Sequence, residues 1–539
     1  MNKRKFKKSI IIISALIAIV ISVILAAVFT DVRHEIYLDT NAGMTSEQRL
    51  KDFKDMTKFI EKNISFIYDY EELYGISFED IKKYYADLIK NAESDYEYYC
   101  LIQGFINNIP SGHMTMGYPN QDNIPALYQY RTNDYPLFGQ ACAYWENVLH
   151  DECSKYYDKD YSLHYFYYLN GRYVESEYSN SLYNIPYDGA RLLSVNGIPI
   201  DEFVKLSPLT CKLNYDFQNS KPFRGFLIFN NISGEKCTIE YETEAGEIIN
   251  ESAYYGITSV VSNYIEYFRS VDDPSAYNEN DYKIEETDVS NIYTFFDDAN
   301  NVTYLKFNDF FFGGSEALQF IRKNDLHENI IIDLRDNTGG VKDICDALIG
   351  ALSETDIEFN ADIYTTRKYD DCNVESASEL PFKSRFKRLY RLTEENLIRG
   401  ESKKKYNIYV LVSSVSLSSA DRFAAIVKDS SLGTVIGVLN TGGEAFGSPD
   451  LTVLEKSGLY FYFTDYKYIN PDGTDNSVYG TTPDIYIKLN DNLIKRRDEL
   501  ILQNINYETY ENRLKWDNVL IETIGMIKEK KNTKGNTAA

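Results

Sequence analysis

A serine-rich turn between a predicted strand and a predicted helix is the stretch of the sequence best suited to covalent chemistry. The strand covers Asn407–Val412, a short apolar and β-branched run, and apolar residues between positions 420 and 427 recur at the spacing of one helix face. This order places Ser418 and Ser419 at a helix N-terminus, where unpaired N–H groups and the positive end of the helix dipole can hold a developing oxyanion. The position suits a serine nucleophile.

The same residues are also typical of an ordinary helix cap. Ser418 is followed three residues later by Asp421, and a serine with an acidic residue at that spacing caps many helices that have no catalytic role. This segment alone leaves both interpretations open, so a catalytic partner has to be found elsewhere in the chain.

His113 is the histidine best placed to act as a general base. It is one of five histidines, and it alone lies in a tight turn with a glycine, after Ser111 and Gly112 and before a short alternating segment typical of a strand. Histidine is the simplest general base near neutral pH. Most isolated histidines are surface or structural residues, so this assignment also needs support from other motifs.

Composition excludes several classes of function. The chain has 539 residues with 44% hydrophobic and 25% charged residues, which is typical of a globular protein with several domains. Its net charge of −25 argues against nucleic-acid binding, because a phosphate backbone would be repelled. The seven cysteines occur singly without a C-x-x-C pair, so the sequence indicates neither a zinc site nor a redox motif, and we predict no metal or cofactor.

The N-terminus carries a predicted membrane anchor over residues 1–30. Basic residues in MNKRKFKKS precede an uncharged apolar run at positions 10–29, which is long enough to span a bilayer core. Basic residues hold the N-terminal side in the cytoplasm, so the chain from position 31 onward is expected outside the cell membrane. A cleaved signal peptide is the alternative, but no clear cleavage site follows the run.

The remaining chain divides into four predicted parts with different patterns. Residues 31–150 are helical and carry His113, residues 151–265 form a small β-rich module, residues 285–490 form a core, and residues 491–539 form a C-terminal helical tail. The β-rich module contains GARLLSVNGIPIDEFV, with a hairpin at Asn196 and Gly197, and loosely resembles a peptide-binding PDZ module. The fold class is α/β in the core and multi-domain α+β overall.

Strands and helices alternate in the core, which predicts a largely parallel sheet. The DNTGG turn that ends at Gly340 and the serine turn both follow strands, and ligands of such sheets collect at the carboxyl ends of strands. A polar insertion at residues 367–405, with a predicted helix at 382–397, either covers the site or is a solvated surface segment.

Three motifs in this order resemble the serine peptidase family that contains tail-specific (C-terminal processing) proteases and the tricorn core protease. NIIIDLRDNTGG resembles the D-x-R-x-N-x-G-G strand and turn of that family, YVLVSSVSLSSADRFAAIVKDSSLG resembles its nucleophile segment, and YGTTPDIYI resembles its closing G-x-x-P-D segment. The resemblance covers about residues 292–490. It implies a ClpP/crotonase-like βαβ core, a polypeptide substrate and no cofactor.

The resemblance also implies roles for single residues. Ser418 matches the nucleophile, and Gly339 or Gly340 together with the N–H of Ser419 matches the oxyanion hole. A glycine turn agrees with that role, because it lets backbone amides approach a substrate carbonyl. Asp429 matches an acidic position of the family and is an equally ordinary helix-end residue.

The base distinguishes two branches of this family. One branch uses a lysine after a T-x-G segment, and this chain has Glu444 there instead. The other branch uses histidine, and SGHM around His113 partly matches its D-G-H-T segment. That branch orients its histidine with a glutamate three residues before the glycine of G-x-x-P-D, where this chain has Ser477. Asp475 or an unrelated carboxylate could replace it.

The sequence therefore supports two functions from different classes. The first is a membrane-anchored extracytoplasmic serine endopeptidase that uses Ser418 and His113 through an acyl-enzyme. The second is a catalytically silent peptide- or ligand-binding protein on the same fold, in which Ser418 is a helix cap and His113 a turn residue. The sequence does not specify the cleavage preference or the oligomeric state.

Overall fold

The structure is a computed structural model that describes residues 36–118, 135–155, 163–176, 190–206, 211–230, 235–255, 291–366, 375–376, 389–503 and 505–537. The predicted anchor at positions 10–29 lies outside these ranges. Within them, no helix combines the length and the apolar character needed to cross a bilayer.

Helices make up most of the N-terminal part, as the sequence predicts. The first helix begins after Thr45, which forms a capping box with Gln48, and it buries Phe53, Met56 and Ile60 on one face. His113 lies in the turn between the fourth helix and the first strand. The elements of this part are α1 Ser46–Asn63, α2 Glu71–Tyr74, α3 Phe78–Asn91, α4 Asp95–Asn107, β1 Thr115–Met116 and α5 Tyr135–Ser154.

Antiparallel strands follow, and their order is β3-β2-β8-β10-β9-β4-β5 with an additional pairing of β3 with β4. That pairing closes a ring through β3, β2, β8, β10, β9 and β4, and leaves β5 as an edge strand beside β4. The hairpin predicted at Asn196 and Gly197 is confirmed, since both residues have positive φ angles and connect β4 to β5. A separate two-stranded hairpin, β6 with β7, precedes β8. The elements are β2 Leu163–Leu169, β3 Arg172–Ser176, β4 Arg191–Val195, β5 Ile198–Pro199, α6 Ile200–Leu206, β6 Leu213–Asp216, β7 Lys221–Arg224, β8 Phe226–Asn230, β9 Glu235–Glu242 and β10 Ile248–Tyr255.

The core contains a six-stranded sheet in the order β11-β12-β13-β17-β18-β22, in which all pairings except β11 with β12 are parallel. The predicted parallel sheet is therefore confirmed. Smaller sheets join β15-β16-β14-β21 and β1-β20-β19. The elements are β11 Ile292–Asp297, β12 Val302–Phe307, α7 Phe312–Lys323, β13 Asn329–Asp333, α8 Lys342–Leu352, β14 Ile357–Thr365, β15 Glu375–Ser376, β16 Tyr390–Ile398, β17 Asn407–Val412, α9 Ser419–Asp429, β18 Gly433–Gly437, β19 Asp450–Val453, β20 Tyr460–Phe463, β21 Tyr466–Tyr468, α10 Asn476–Tyr479 and β22 Ile485–Tyr486.

The helix predicted at residues 382–397 is wrong for its described part. Strand β16 covers most of that part and pairs along its whole length with β14, from Tyr390 opposite Thr365 to Ile398 opposite Ile357. Pairing with a long neighbouring strand outweighs the local helix preference of a segment rich in leucine and glutamate. Most of the remaining insertion lies outside the described residues, so both interpretations of it, a cover over the site or a solvated surface segment, stay predictions.

The C-terminal segment is helical, as predicted, with α11 Asp491–Leu502, α12 Tyr510–Trp516 and α13 Asn518–Thr537. A buried charge network ties it to the parallel sheet. Arg335 lies 2.6 Å from Asp333 and 2.5 Å from Asp517, and Tyr304 donates a 2.6 Å hydrogen bond to Asp333. Burial alone would raise the pKa of Asp333, but Arg335 beside it holds that pKa well below its usual range. The acidic and basic residues of the D-x-R motif therefore anchor the tail.

We expect Asp517→Ala to lower the free energy of unfolding by about 3–5 kcal/mol, because the change leaves the buried guanidinium of Arg335 without one of its carboxylates. Urea unfolding followed by tryptophan fluorescence measures the effect. Glu401→Gln is the matched control: it removes an exposed partner of Arg322 and should change stability by no more than about 1 kcal/mol. Equal effects of the two changes would contradict the structural role of the network.

Candidate active site

Two turns at the carboxyl ends of β13 and β17 interlock. The strands are parallel neighbours, so the glycine turn after β13 and the serine turn after β17 meet at one edge of the sheet. The hydroxyl of Ser413 donates a 2.5 Å hydrogen bond to the carbonyl of Arg335, and the N–H of Leu417 donates at 3.2 Å to the carbonyl of Asn337. Hydrogen bonds between the turns thus set where Ser418 lies.

Ser418 has a strained backbone and a side chain that caps no helix. Its φ of 57° and ψ of −119° lie outside the usual regions for residues with a side chain. The turn holds this geometry with an N–H bond to the carbonyl of Gly443 at 3.0 Å and a bond from the N–H of Arg422 to the Ser418 carbonyl at 2.8 Å. Ser418 occupies the N-cap position of α9, yet its hydroxyl makes no capping hydrogen bond. A sharp strand-to-helix turn of this kind is typical of a serine nucleophile.

The glycine turn contacts the serine directly. A Cβ atom added to Gly339 would lie 2.7 Å from Cβ of Ser418 and 2.6 Å from the carbonyl oxygen of Leu417. Gly339 also has a φ of 101°, which residues with side chains rarely adopt. A glycine is therefore required here for the two turns to approach each other.

The three predicted oxyanion groups are not equivalent. The N–H of Gly339 donates a 2.9 Å hydrogen bond to the side chain of Asn337, so in this structure it is engaged within its own turn. Within the described ranges, the N–H groups of Gly340 and Ser419 make no hydrogen bond. The hydroxyl of Ser419 donates to the carbonyl of Gly340 at 2.7 Å, which holds the two residues together. Gly340 and Ser419 are therefore the remaining pair of donors.

His113 reaches the same region from the N-terminal part of the chain. Its turn rests on the serine turn, because a Cβ atom added to Gly112 would lie only 1.9 Å from the side chain of Leu417. The imidazole is buried, with 7% of the residue exposed. Its Nδ1 atom has no hydrogen-bond partner among the described residues. The fold thus brings Gly112 into contact with Leu417, and these residues directly precede His113 and Ser418.

Glu444 is the carboxylate beside the histidine, and the sequence analysis missed it. Its Oε2 atom lies 3.7 Å from Nδ1 of His113, and its Oε1 atom accepts a hydrogen bond from Ser111. The residue is 2% exposed and has a φ of 65°. The sequence analysis mentions Glu444 only because it stands where one branch of the family has a lysine. The available signal was a carboxylate directly after the T-x-G segment, at a position where that branch places its base.

Asp475 and Ser477 have other roles. Asp475 caps α10 by accepting a 3.0 Å hydrogen bond from the N–H of Ser477, and its second oxygen lies 3.2 Å from Nζ of Lys467. The suggestion that Asp475 orients His113 is therefore wrong, because its oxygens serve a helix end and a lysine. Asp421 is buried and accepts hydrogen bonds from the side chain of Thr441 and the backbone of Thr481, which ties α9 to neighbouring loops.

Burial shifts the pKa values of the histidine and the glutamate in opposite directions. Burial, aided by the positive charge of Lys212, lowers the pKa of His113 to about 4. Burial raises the pKa of Glu444 to about 8, with Asp475 adding to the rise and Ser111 and Lys212 opposing it. The imidazole is therefore neutral at physiological pH and able to accept a proton.

A cavity of about 380 Å³ opens beside these groups. Its lining includes Gly112, Leu417 and Thr338, which are the neighbours of His113, Ser418 and Gly339 in the sequence. Aromatic residues from the β6–β7 hairpin, Phe217 and Phe223 among them, form another wall. A cavity of this size, with polar groups at one side, has room for part of a polypeptide.

Residues 301–487 match the model of peptidase family S41. This matched segment, and not the whole chain, is similar to the peptidases of family S41. The match supports a serine-type peptidase, and the three motifs identified in the sequence lie within the matched segment. No curated protein shows a significant match to the chain.

Several solved structures are similar to the chain at low identity. Mature CPAF complexed with lactacystin is 14% identical, with a TM-score of 0.47 over 86% of this chain and 99% of that one. The photosystem II D1 C-terminal processing protease is 12% identical, with a TM-score of 0.33 over 83% of this chain and 94% of that one. The tricorn protease is 14% identical, with a TM-score of 0.33 over 90% of this chain and 37% of that one. These scores are low, so the assignment rests on the family match.

We expect Gly339→Ala to lower the rate of peptide hydrolysis by about 100-fold or more, because the added methyl group displaces Ser418 and a small misplacement of a reacting group is costly. Peptide cleavage and the urea midpoint are measured together. Gly139→Ala is the control, since that position has open space around it. Wild-type activity in Gly339→Ala would show that the contact between the turns does not position the serine.

The pH dependence of the S41 core should differ from that of an exposed histidine. Because the pKa of His113 is lowered to about 4, the acidic limb of kcat/KM should lie well below the ordinary value of 6.5. Because the pKa of Glu444 is raised to about 8, its carboxylate forms only as the pH rises through that value, and a second increase in rate should occur there. Initial rates from pH 3.5 to 9.5 test both limbs. Glu444→Gln should remove the second increase and leave the first, and a single limb near 6.5 would contradict this description.

Proposed function

We propose that the protein is a serine endopeptidase in which Ser418 is the nucleophile, His113 the general base and Glu444 the residue that orients the base. The observation that carries this proposal is a strained serine with no capping hydrogen bond, whose turn contacts the turn of a buried histidine that has a glutamate 3.7 Å away. A serine that serves only as a helix cap would use its hydroxyl for capping, and this one does not.

The proposed mechanism proceeds through an acyl-enzyme. His113 takes the proton of Ser418 as the serine oxygen attacks the scissile carbonyl, and the N–H groups of Gly340 and Ser419 stabilise the oxyanion. His113 then gives the proton to the leaving amine, and water releases the acyl group by the same steps. Once it is ionised, the carboxylate of Glu444 favours the imidazolium that forms in each step, because it lies 3.7 Å from Nδ1. We expect substrate binding to shorten the distance between the hydroxyl of Ser418 and the ring of His113, because catalytic hydrogen bonds are often long in unliganded enzymes.

The substrate proposed for this site is an unfolded or tail-presented polypeptide. The β-rich strands from β2 to β10 are proposed to act as a PDZ-like module that captures a chain end by adding it to a sheet edge. The cavity beside the turns lies between this part, through the β6–β7 hairpin, and the core, which supports delivery of a captured chain to Ser418.

The proposed location is the outer side of a cell membrane. The apolar run at positions 10–29 would anchor the chain, and the basic residues before it would keep the N-terminus in the cytoplasm. The catalytic part would then act on extracytoplasmic polypeptides. The net charge of −25 favours a polypeptide partner over nucleic acid.

Peptide cleavage by matched variants tests the proposal. A protein starting near position 31 is incubated with an unfolded protein and a diverse peptide pool, and products are identified by mass spectrometry. We expect cleavage by the parent, no detectable cleavage by Ser418→Ala or His113→Ala, and a rate about 10²–10⁴ lower for Glu444→Gln, because an unoriented base stays in the wrong tautomer. Asp475→Asn is the matched carboxylate control and should retain more activity than Glu444→Gln.

The other outcomes are also informative. Loss of cleavage in Ser418→Ala alone would contradict the assignment of the base. Binding of peptides without any product would favour the silent binding protein on the same fold, for which Ser477 at the expected glutamate position is the specific argument.

A further inference from the structure

Lys212 reaches across the molecule to the turn that carries the histidine. It lies directly before β6, about a hundred positions along the chain from that turn, and its ammonium donates hydrogen bonds to the backbone carbonyls of Ser111, Gly112 and Met114. The carbonyls belong to the residues on both sides of His113. The lysine therefore binds the backbone of the turn on both sides of the candidate base.

A second residue of the same hairpin reinforces this contact. Arg224, at the end of β7, is buried and donates to the carbonyl of Cys211 at 2.6 Å, which fixes the residue next to Lys212. The same guanidinium donates at 2.6 Å to the side chain of Asn108, which lies at the end of α4 and shortly before His113. Two cations of one hairpin thus hold two points of the segment that leads to the base.

The charges around Lys212 are compatible with an ammonium that holds the turn of His113 in place. The charges of Glu444 and Cys211 favour its ammonium form, Lys212 in turn lowers the pKa of His113, and Asp475 and Asp421 act on Glu444. Burial lowers the pKa of Lys212 to about 7, and the carboxyl group of Glu444 acts in the opposite direction. The ammonium is the main form below neutral pH, and its positive charge helps keep the imidazole of His113 neutral.

Lys212 does not itself suit the role of general base. A lysine that accepts a proton must present a neutral amine to the nucleophile. The Nζ atom of Lys212 instead points its N–H groups at three carbonyl oxygens, all on the turn around the histidine. These contacts stabilise the protonated form and direct it toward the backbone.

We propose that Lys212 is a positioning residue of this peptidase, which holds the turn of His113 in place so that the imidazole faces the nucleophile and Glu444. The inference rests on the proposed function, because a lysine positions a base only where His113 is the base. The β6–β7 hairpin would then affect catalysis through Lys212, although the hairpin lies outside the segment matched by the family model. The general base is then placed by two distant parts of the chain.

Steady-state kinetics of Lys212→Met, Lys212→Arg and Lys221→Met test this inference. Lys221 is the matched control, since it lies on the same hairpin and pairs with Asp201 instead of the histidine turn. We expect Lys212→Met to lower kcat by about 10- to 100-fold, because a small displacement of a reacting group has an effect of this size. KM should change by less than about threefold, because the ammonium of Lys212 is bound to backbone carbonyls of the histidine turn and is not offered to the substrate. Lys212→Arg should recover part of kcat, and Lys221→Met should resemble the parent.

The pH profile separates positioning by a charged group from simple loosening. Removing the ammonium should raise the pKa of His113, so the acidic limb should move to higher pH in Lys212→Met and stay in place in Lys212→Arg. The limb of Glu444 near pH 8 should not move to lower pH in Lys212→Met, because Lys212 is already mostly neutral there. Entry of water into a loosened site would instead raise the pKa of His113 and lower that of Glu444. That pattern would overturn the inference. Equal kcat values for Lys212→Met and Lys221→Met would also overturn it. So would a loss of kcat that is explained entirely by the unfolded fraction of Lys212→Met, measured by near-UV circular dichroism.

Titration of the His113 ring by NMR keeps this test independent of the activity. The signal is assigned by its absence in His113→Ala, and it does not require hydrolysis. A parent protein that folds but cuts no peptide defeats the proposed function. An identical His113 pKa in the parent and in Lys212→Met defeats the inference about Lys212, whatever the activity of the parent.

Discussion

Parallel pairing of β13 with β17 is the constraint on which the candidate site depends. It brings the ends of both strands to one edge, where the glycine turn packs against Cβ of Ser418 with no space for a side chain at Gly339. The strained backbone of Ser418 persists because hydrogen bonds to Gly443 and Arg422 hold it from both sides. The sheet therefore supports the strain in the turn, and the hydroxyl of Ser418 makes no capping hydrogen bond to the helix that follows.

Buried polar groups are paired in the charge network around Arg335 but not all paired in the candidate active site. Around Arg335, each carboxylate has a basic partner at short range, so the network stabilises the attachment of α12 and α13 to the sheet. At the site, Nδ1 of His113 and one oxygen of Glu444 are buried without a hydrogen-bond partner among the described residues. Buried polar groups are usually paired, and unpaired ones often mark places where protons or substrates act. The contrast distinguishes a fully paired structural network from the proposed active site within the same fold.

Local patterns predicted much of the core but not every element. The strand at Asn407–Val412 has the predicted bounds, and the apolar face of α9 is buried as its spacing indicates. Periodicity reports such elements well, because a buried strand or helix face must be apolar whatever surrounds it. The segment around β16 was predicted as a helix because its residues favour one, but a long partner strand decides its conformation.

Sequence alone determined the order of the elements, the three motifs and the residue types able to act as nucleophile, base and oxyanion donors, because these follow from spacing and chemistry along the chain. Tertiary structure decided which of them meet. Glu444, and not Asp475, lies beside His113, and the N–H of Gly339 is engaged by Asn337. Lys212 reaches the histidine turn from a distant hairpin. Distances between groups far apart in the chain depend on strand register and packing, which no local pattern of residues records.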